Sequence, residues 1–255
     1  MLAVAPGSRA WSFFAQGKHP LAKDYLCLGT ESRLSFGLSG WLERGFLPLA
    51  ADAGPRSWRF WARGAGQGAL ALGLLRGSCD SIGRPYPLLI LGQGPLPGWE
   101  DNWDLLTLVC DPVWREMERL AETGEGAVPE LERRLVALAS PRGEWARAAK
   151  QCRTAGDDGN YGSSGNYGRS GDSWNSGDSG GELLDSLAHD SFGDPDGGLA
   201  FRVTRLFRER GVTLPSLGFL GGAPGAYRYL LFQRALRGSD FGMLWQSSQV
   251  EAATP

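Results

Sequence analysis

Apolar residues along this chain recur in two rhythms, and the rhythm changes part-way. Early on they come in short dense runs broken by glycine. "AWSFFAQG" (Ala10–Gly17) is aromatic, ends at a glycine and suits a buried strand. "RSWRFWARG" and "GALALGLLRG" both have strand composition, and the Gly-rich join "GAGQG" between them reads as a turn. "YPLLILG" supplies the next strand. Three consecutive strands with short joins predict an antiparallel meander, because a parallel pair needs a long crossover.

The helical rhythm of three and four appears elsewhere. In "ESRLSFGLSGWLERG", Leu34, Leu38, Trp41 and Leu42 share one face, and Gly45 stands where a C-terminal cap belongs. "WEDNWDLLTLVCDPVWREMERLAE" carries Leu106, Val109, Val113, Met117 and Leu120 on one side, with Pro112 predicting a kink or two helices. "VPELERRLVALA" places Pro129 in a first turn and Leu131, Leu135 and Leu138 on one side. Both helices keep a polar face, as helices covering a sheet do.

From Thr154 to Gly181 the periodicity stops. This Gly/Ser/Asn/Asp tract has too little apolar area to offset its ordering entropy, so it reads as a flexible insertion. Order is expected to resume patchily at "ELLDSLAHDSF" and clearly at "LAFRVTRLFRERG". A strand "LPSLGFLGG", a strand in "YRYLLFQRALRG" and a short helix opening at Ser239 complete the chain's elements. The expected organisation is therefore an α+β region over 1–153, the insertion over 154–181, a helix-strand-strand-helix unit over 182–248 completing the fold, and a frayed tail over 249–255.

Composition narrows the function classes. The 255 residues are 42% hydrophobic and include ten tryptophans, enough for one good core. The net charge of −2 comes from 26 basic and 28 acidic residues mixed along the chain, so no basic stripe for nucleic acid forms. Nor is there a polybasic or amphipathic segment for a membrane surface. Cys27, Cys79, Cys110 and Cys152 form no CxxC pair and only His19 and His189 could assist, which argues against zinc. Dispersed thiols suit a reducing compartment, and no run resembles a signal peptide or membrane span; the expected location is cytoplasmic, with no cofactor.

Two motifs imitate known chemistry. "GDSGG" (Gly177–Gly181) resembles the surroundings of a protease serine, but it sits inside the Gly/Ser tract without a suitable base or β-barrel. "GAGQGA" (Gly64–Ala69) imitates a dinucleotide fingerprint, yet the "LALGLLRG" after it is too short and Gly-broken to be the helix that motif must open. A third stretch, "SCDSIGRPYPLLI" (Ser78–Ile90), sets Asp80, Gly83, Arg84 and two prolines directly before a strand. Asp80 can accept backbone N–H groups in a turn, Gly83 can supply a positive φ, and Arg84 can fork onto Asp80 or another carboxylate. Both a reinforced turn and a binding loop satisfy this pattern.

"GKHPLAKDYL", "SWRFW" and "LRGSCDSIGRPYPLLI", in that order, resemble motifs of the type VI secretion-associated protein family TagF, also called ImpM. Gly17, Lys18, Pro20, Asp24 and Tyr25 fill the first motif; Trp58, Arg59 and Phe60 fill the second. Ser78, Asp80, Gly83, Arg84, Pro87 and Leu88 fill the third. The resemblance spans about residues 10–140, and more loosely "PSLGFLGG" onward. Gly77, Ser81 and Pro85 depart from the family's usual proline, arginine and aromatic. It implies a longin-like (profilin-like) antiparallel sheet with helices on its faces. It further implies a cytoplasmic, non-catalytic regulator that represses a type VI secretion system by binding its components, a forkhead-associated-domain scaffold among them.

On that basis Lys18, Asp24, Tyr25, Asp80, Arg84 and Tyr86 are the candidate protein-binding residues, since both loops carry charge where a plain turn needs only Gly, Pro and Asn. Three rivals stand beside this reading. One is a structural component of the secretion apparatus. Another is a hydrolase using Asp80 and Arg84, for which no base, nucleophile or metal set is evident. The last is a small-GTPase adaptor, which nothing in the residues favours.

Overall fold

A computed structural model describes residues 11–49, 55–148, 197–224 and 226–245. The Gly/Ser tract with its "GDSGG", the "ELLDSLAHDSF" segment with His189, Cys152 and the tail from Gln249 all lie outside the described residues.

Among the described residues, seven strands form one open antiparallel sheet: β1 (Ser12–Gly17), β2 (Leu26–Gly29), β3 (Ser57–Arg63), β4 (Ala69–Arg76), β5 (Leu88–Pro95), β6 (Leu217–Ala223) and β7 (Ala226–Phe232). Their order across the sheet is β2-β1-β5-β4-β3-β6-β7. The expected meander is its centre: Trp61 pairs with Leu72, and Leu72 with Gly92. β1 joins β5 on one side, and β6 joins β3 on the other, with Phe60 opposite Phe219. The "GAGQG" join turns β3 into β4, with the Gly64 N–H donating to Ala69 O over 2.9 Å.

Helices cover both faces, which explains why the central strands are apolar at nearly every position. In β4, Leu70, Leu72 and Leu74 face one layer while Ala71 and Leu75 face the other. The first layer holds α2 (Leu106–Val109), α3 (Asp111–Glu122), α4 (Val128–Val136), α5 (142–148) and α6 (Gly197–Glu209). The second holds α1 (Arg33–Phe46) and α7 (Gly238–Trp245). Trp58, Phe60, Phe219 and Phe241 are buried in that second layer; each such side chain contributes about 1.5–3 kcal/mol of burial.

Pro112 separates rather than kinks. A 3₁₀ segment Glu100–Leu105 and α2 precede it, and it sits in the first turn of α3, where its missing N–H costs nothing. Gly45 is a correction. It is not a cap but an interior residue of α1, and a Cβ there would lie 2.4 Å from Phe241 of α7. The glycine lets the two helices approach; Leu47 follows as the cap. At the other end Ser32 and Ser35 cap each other's backbone N–H groups, in a capping box.

α7 ends against the sheet. Arg228 Nη2, Trp58 Nε1 and Arg56 Nε donate to the carbonyls of Met243, Leu244 and Trp245 over 2.8, 3.1 and 2.6 Å. These carbonyls have no acceptor role left inside the helix, and two of the three donors are cations at the negative end of its dipole.

Candidate functional site

The Ser78–Pro87 loop is a short extension of the β4–β5 hairpin. The Tyr86 N–H donates to Ser78 O, Cys79 bridges Pro85, and the Gly83 N–H donates to Asp80 O over 2.9 Å. Gly83 has φ +85°, which L side chains rarely adopt. Asp80 organises this turn from inside: its Oδ1 accepts from the N–H groups of Ile82 (3.2 Å) and Arg84 (2.9 Å). Its Oδ2 accepts from Arg84 Nε at 2.6 Å and lies 3.0 Å from Lys18 Nζ.

Lys18 comes from the end of β1, more than sixty residues earlier, and brings its own loop with it. The Ser81 N–H donates to Ala22 O over 2.8 Å, and Arg84 Nη2 donates to Lys23 O over 2.7 Å. Asp24 Oδ1 lies 3.5 Å from the same Arg84 nitrogen. The aromatic members meet as well. Tyr25 packs edge-on against Tyr86 at 5.5 Å between ring centres, and Tyr86 against Phe46 at 5.2 Å. All six sequence-predicted residues, Lys18, Asp24, Tyr25, Asp80, Arg84 and Tyr86, thus fall in one contiguous cluster.

Burial divides the cluster. The Asp80 side chain is inaccessible and that of Lys18 partly buried, whereas Arg84 is half exposed and Asp24 mostly exposed. Tyr25 is 44% exposed and Ile82, at the tip of the turn, 67%. Burial alone would raise the Asp80 pKa, but the Arg84 N–H, the Lys18 ammonium, the Arg84 guanidinium and the Ile82 N–H together hold it well below the usual carboxylate range. Burial raises the Tyr25 and Tyr86 phenols, aided at Tyr86 by the Glu43 carboxylate. A general acid needs a carboxyl pushed upward, and Asp80 moves the other way.

The adjacent groove, about 390 Å³, is lined by Pro20, Phe46, Cys79, Tyr86, Pro87 and Trp245 among others; neither Asp80 nor Arg84 lines it. Among the described residues no group of three or more His, Cys, Asp or Glu is placed to hold a metal ion. No helix among them is long and apolar enough to cross a membrane.

The sequence reading missed two residues. Ile82 lacks any pattern that marks it as an exposed tip. His19 reads in sequence as part of a turn, yet it is fully buried. Its Nε2 donates to Leu120 O of α3 (3.0 Å), while its Nδ1 accepts from the Leu21 N–H (3.2 Å). "GKHP" carries no signal for a contact a hundred residues away.

No family model matches this chain, and no curated protein does. Among solved structures, the chain is similar to the crystal structure of PA0076 from Pseudomonas aeruginosa PAO1. The two share 19% identity with a TM-score of 0.48, over 96% of this chain and 99% of that one.

Proposed function

We propose that this chain is a non-catalytic accessory protein of a type VI secretion system that works in the cytoplasm by binding a protein partner. The partner is a forkhead-associated-domain scaffold of the same system, and sequestering it represses secretion stoichiometrically. The observation that carries the reading is the meeting of two motifs of the TagF-like pattern, sixty residues apart in sequence, in one ionic cluster. Its buried part, Asp80 with Lys18, sets the shape. Its exposed part presents an arginine, a tyrosine and an isoleucine, with an acidic rim at Asp24. Arginine and aromatic anchors within a polar rim are the composition of a protein-binding surface.

The test is direct binding between the purified chain and that scaffold, with Ile82→Glu and Tyr25→Ala as probes, because both side chains are exposed and neither touches Asp80. Specific binding weakened at least about tenfold, or roughly 1.4 kcal/mol, by either substitution supports the reading. Binding that both variants retain in full places the contact elsewhere on the molecule. A scaffold that does not bind the intact chain at all ends the proposal.

A further inference from the structure

His19 stands where the cluster's first loop meets the helical layer. On one side its Nε2–H donates to Leu120 O, near the end of α3; on the other its Nδ1 accepts the Leu21 N–H. Only the neutral imidazole with its proton on Nε2 can make both bonds. Around the ring lies a small apolar cavity of about 10 Å³. Ala15 of β1, Leu26 of β2, Leu88 and Ile90 of β5, Leu120 of α3, and Leu131 and Leu135 of α4 line it, and none is charged. The adjacent charge in the chain, Lys18, turns its ammonium to Asp80.

We propose that His19 is a pH-sensitive pin: protonation releases the 18–25 loop from the helical layer and thereby dismantles the Lys18–Asp80–Arg84 cluster. A second ring proton would set Nδ1–H against the Leu21 N–H, donor facing donor, and place a cation in a site walled by aliphatic side chains. The α3 carbonyl end favours a cation, but one carbonyl does not replace the lost hydration. Burial accordingly lowers the His19 pKa from its ordinary 6.5, against the smaller raising effect of the Leu120 carbonyl. The sign comes from linkage. A depressed pKa means the pin's contribution is whole above pH 6.5 and is lost as pH falls through the folded value.

Release propagates because the loop carries half the cluster. The Lys18 ammonium, Ala22 O, Lys23 O and the Asp24 carboxylate all belong to residues 18–24, and each meets the 80–84 turn. Opening that loop leaves Asp80 its own turn's donors only. Any consequence for partner binding rests on the function proposed above; the release itself does not, so it is read on the free protein.

The experiment is amide hydrogen exchange by mass spectrometry on the intact 255-residue chain between pH 7.5 and 5.0, corrected for intrinsic exchange. Beside it runs His19→Gln, which does not titrate. The expected result is loss of protection confined to residues 18–25 and 78–86, by up to about tenfold per pH unit as pH falls from 6.5 towards the lowered folded pKa and levelling off below it, as uptake of one proton on opening requires, and absent in His19→Gln. Loss of protection across β3–β5 at the same pH means global unfolding and overturns the pin. So does unchanged protection, or the same local loss in His19→Gln. If His19→Gln does not fold, the ¹⁵N shifts of the wild-type imidazole decide. Nδ1 protonation must coincide with loop opening, and an imidazole still neutral while the loops open overturns the proposal.

Discussion

Two buried aspartates in this molecule use the same chemistry to different ends. Asp80 accepts two backbone N–H groups and an arginine Nε. Asp240, at the start of α7, accepts the Arg237 N–H over 2.6 Å and both terminal nitrogens of Arg234, over 2.7 and 2.8 Å. In both cases burial would raise the pKa, and the donors lower it instead. The connectivity differs. Arg234 stays within its own turn, lying over Phe232 and donating to Ala235 O. Arg84 reaches out of its turn to Lys23 O and Asp24, while Lys18 reaches in from β1. One carboxylate seals a local turn; the other joins segments that the chain keeps far apart and leaves a half-exposed arginine at the join. A functional surface is better served by the second arrangement, because its shape depends on more than one loop.

The sharpest break in this comparison is Asp80→Ala. It removes the carboxylate that separates the Lys18 ammonium from the Arg84 guanidinium and leaves Lys18 and the Arg84 Nε without their shared acceptor, so it should lower the thermal midpoint more than any other change considered, and amide exchange should rise at both 18–25 and 78–86. Exchange raised in the 78–86 turn alone would reduce Asp80 to a turn residue like Asp240.

Asp240→Ala comes next. Losing charge-assisted hydrogen bonds in one turn should cost about 2 kcal/mol in urea unfolding, with exchange in the 18–25 loop unaltered. A rise there would mean that the two clusters communicate.

Acid separates them further. Both folded pKa values lie below the ordinary 3.8, so both contributions are complete above that value and are lost as pH falls through the folded ones. Between pH 4 and 2 the fall of stability with pH should therefore flatten in Asp80→Asn and, by less, in Asp240→Asn. Equal flattening would erase the distinction. The smallest effect belongs to Ile82→Glu. At an exposed turn tip it should change stability by no more than about 0.5 kcal/mol, which makes it a clean probe of binding.

The contrast also explains how much was legible in the sequence. The Asp80–Arg84 spacing and Gly83 announce a turn, and the central meander emerges from dense apolar runs bounded by glycines, because such runs can only be buried on both sides. β2 does not show in the sequence. It has four residues, with Leu26 and Leu28 inward and Cys27 and Gly29 outward, too short for alternation to stand out, and its place beside β1 depends on the loop that Asp80 holds. Gly45 misleads for a related reason. A glycine near a helix end looks like a cap, while the ring of Phe241 that requires it lies 196 residues later.

By itself, then, the sequence determined the α+β class, the meander and the amphipathic helices, because periodicity, turn chemistry and glycine placement act over a few neighbours. Only the tertiary structure decided that Lys18 turns to Asp80, that Arg84 closes on Lys23 and that His19 is locked to Leu120. Those bonds join residues 18 and 80, 84 and 23, and 19 and 120, partners that only the folded sheet and helices bring within reach, and at Asp80 and His19 burial also removes the water that would otherwise compete for the same polar groups.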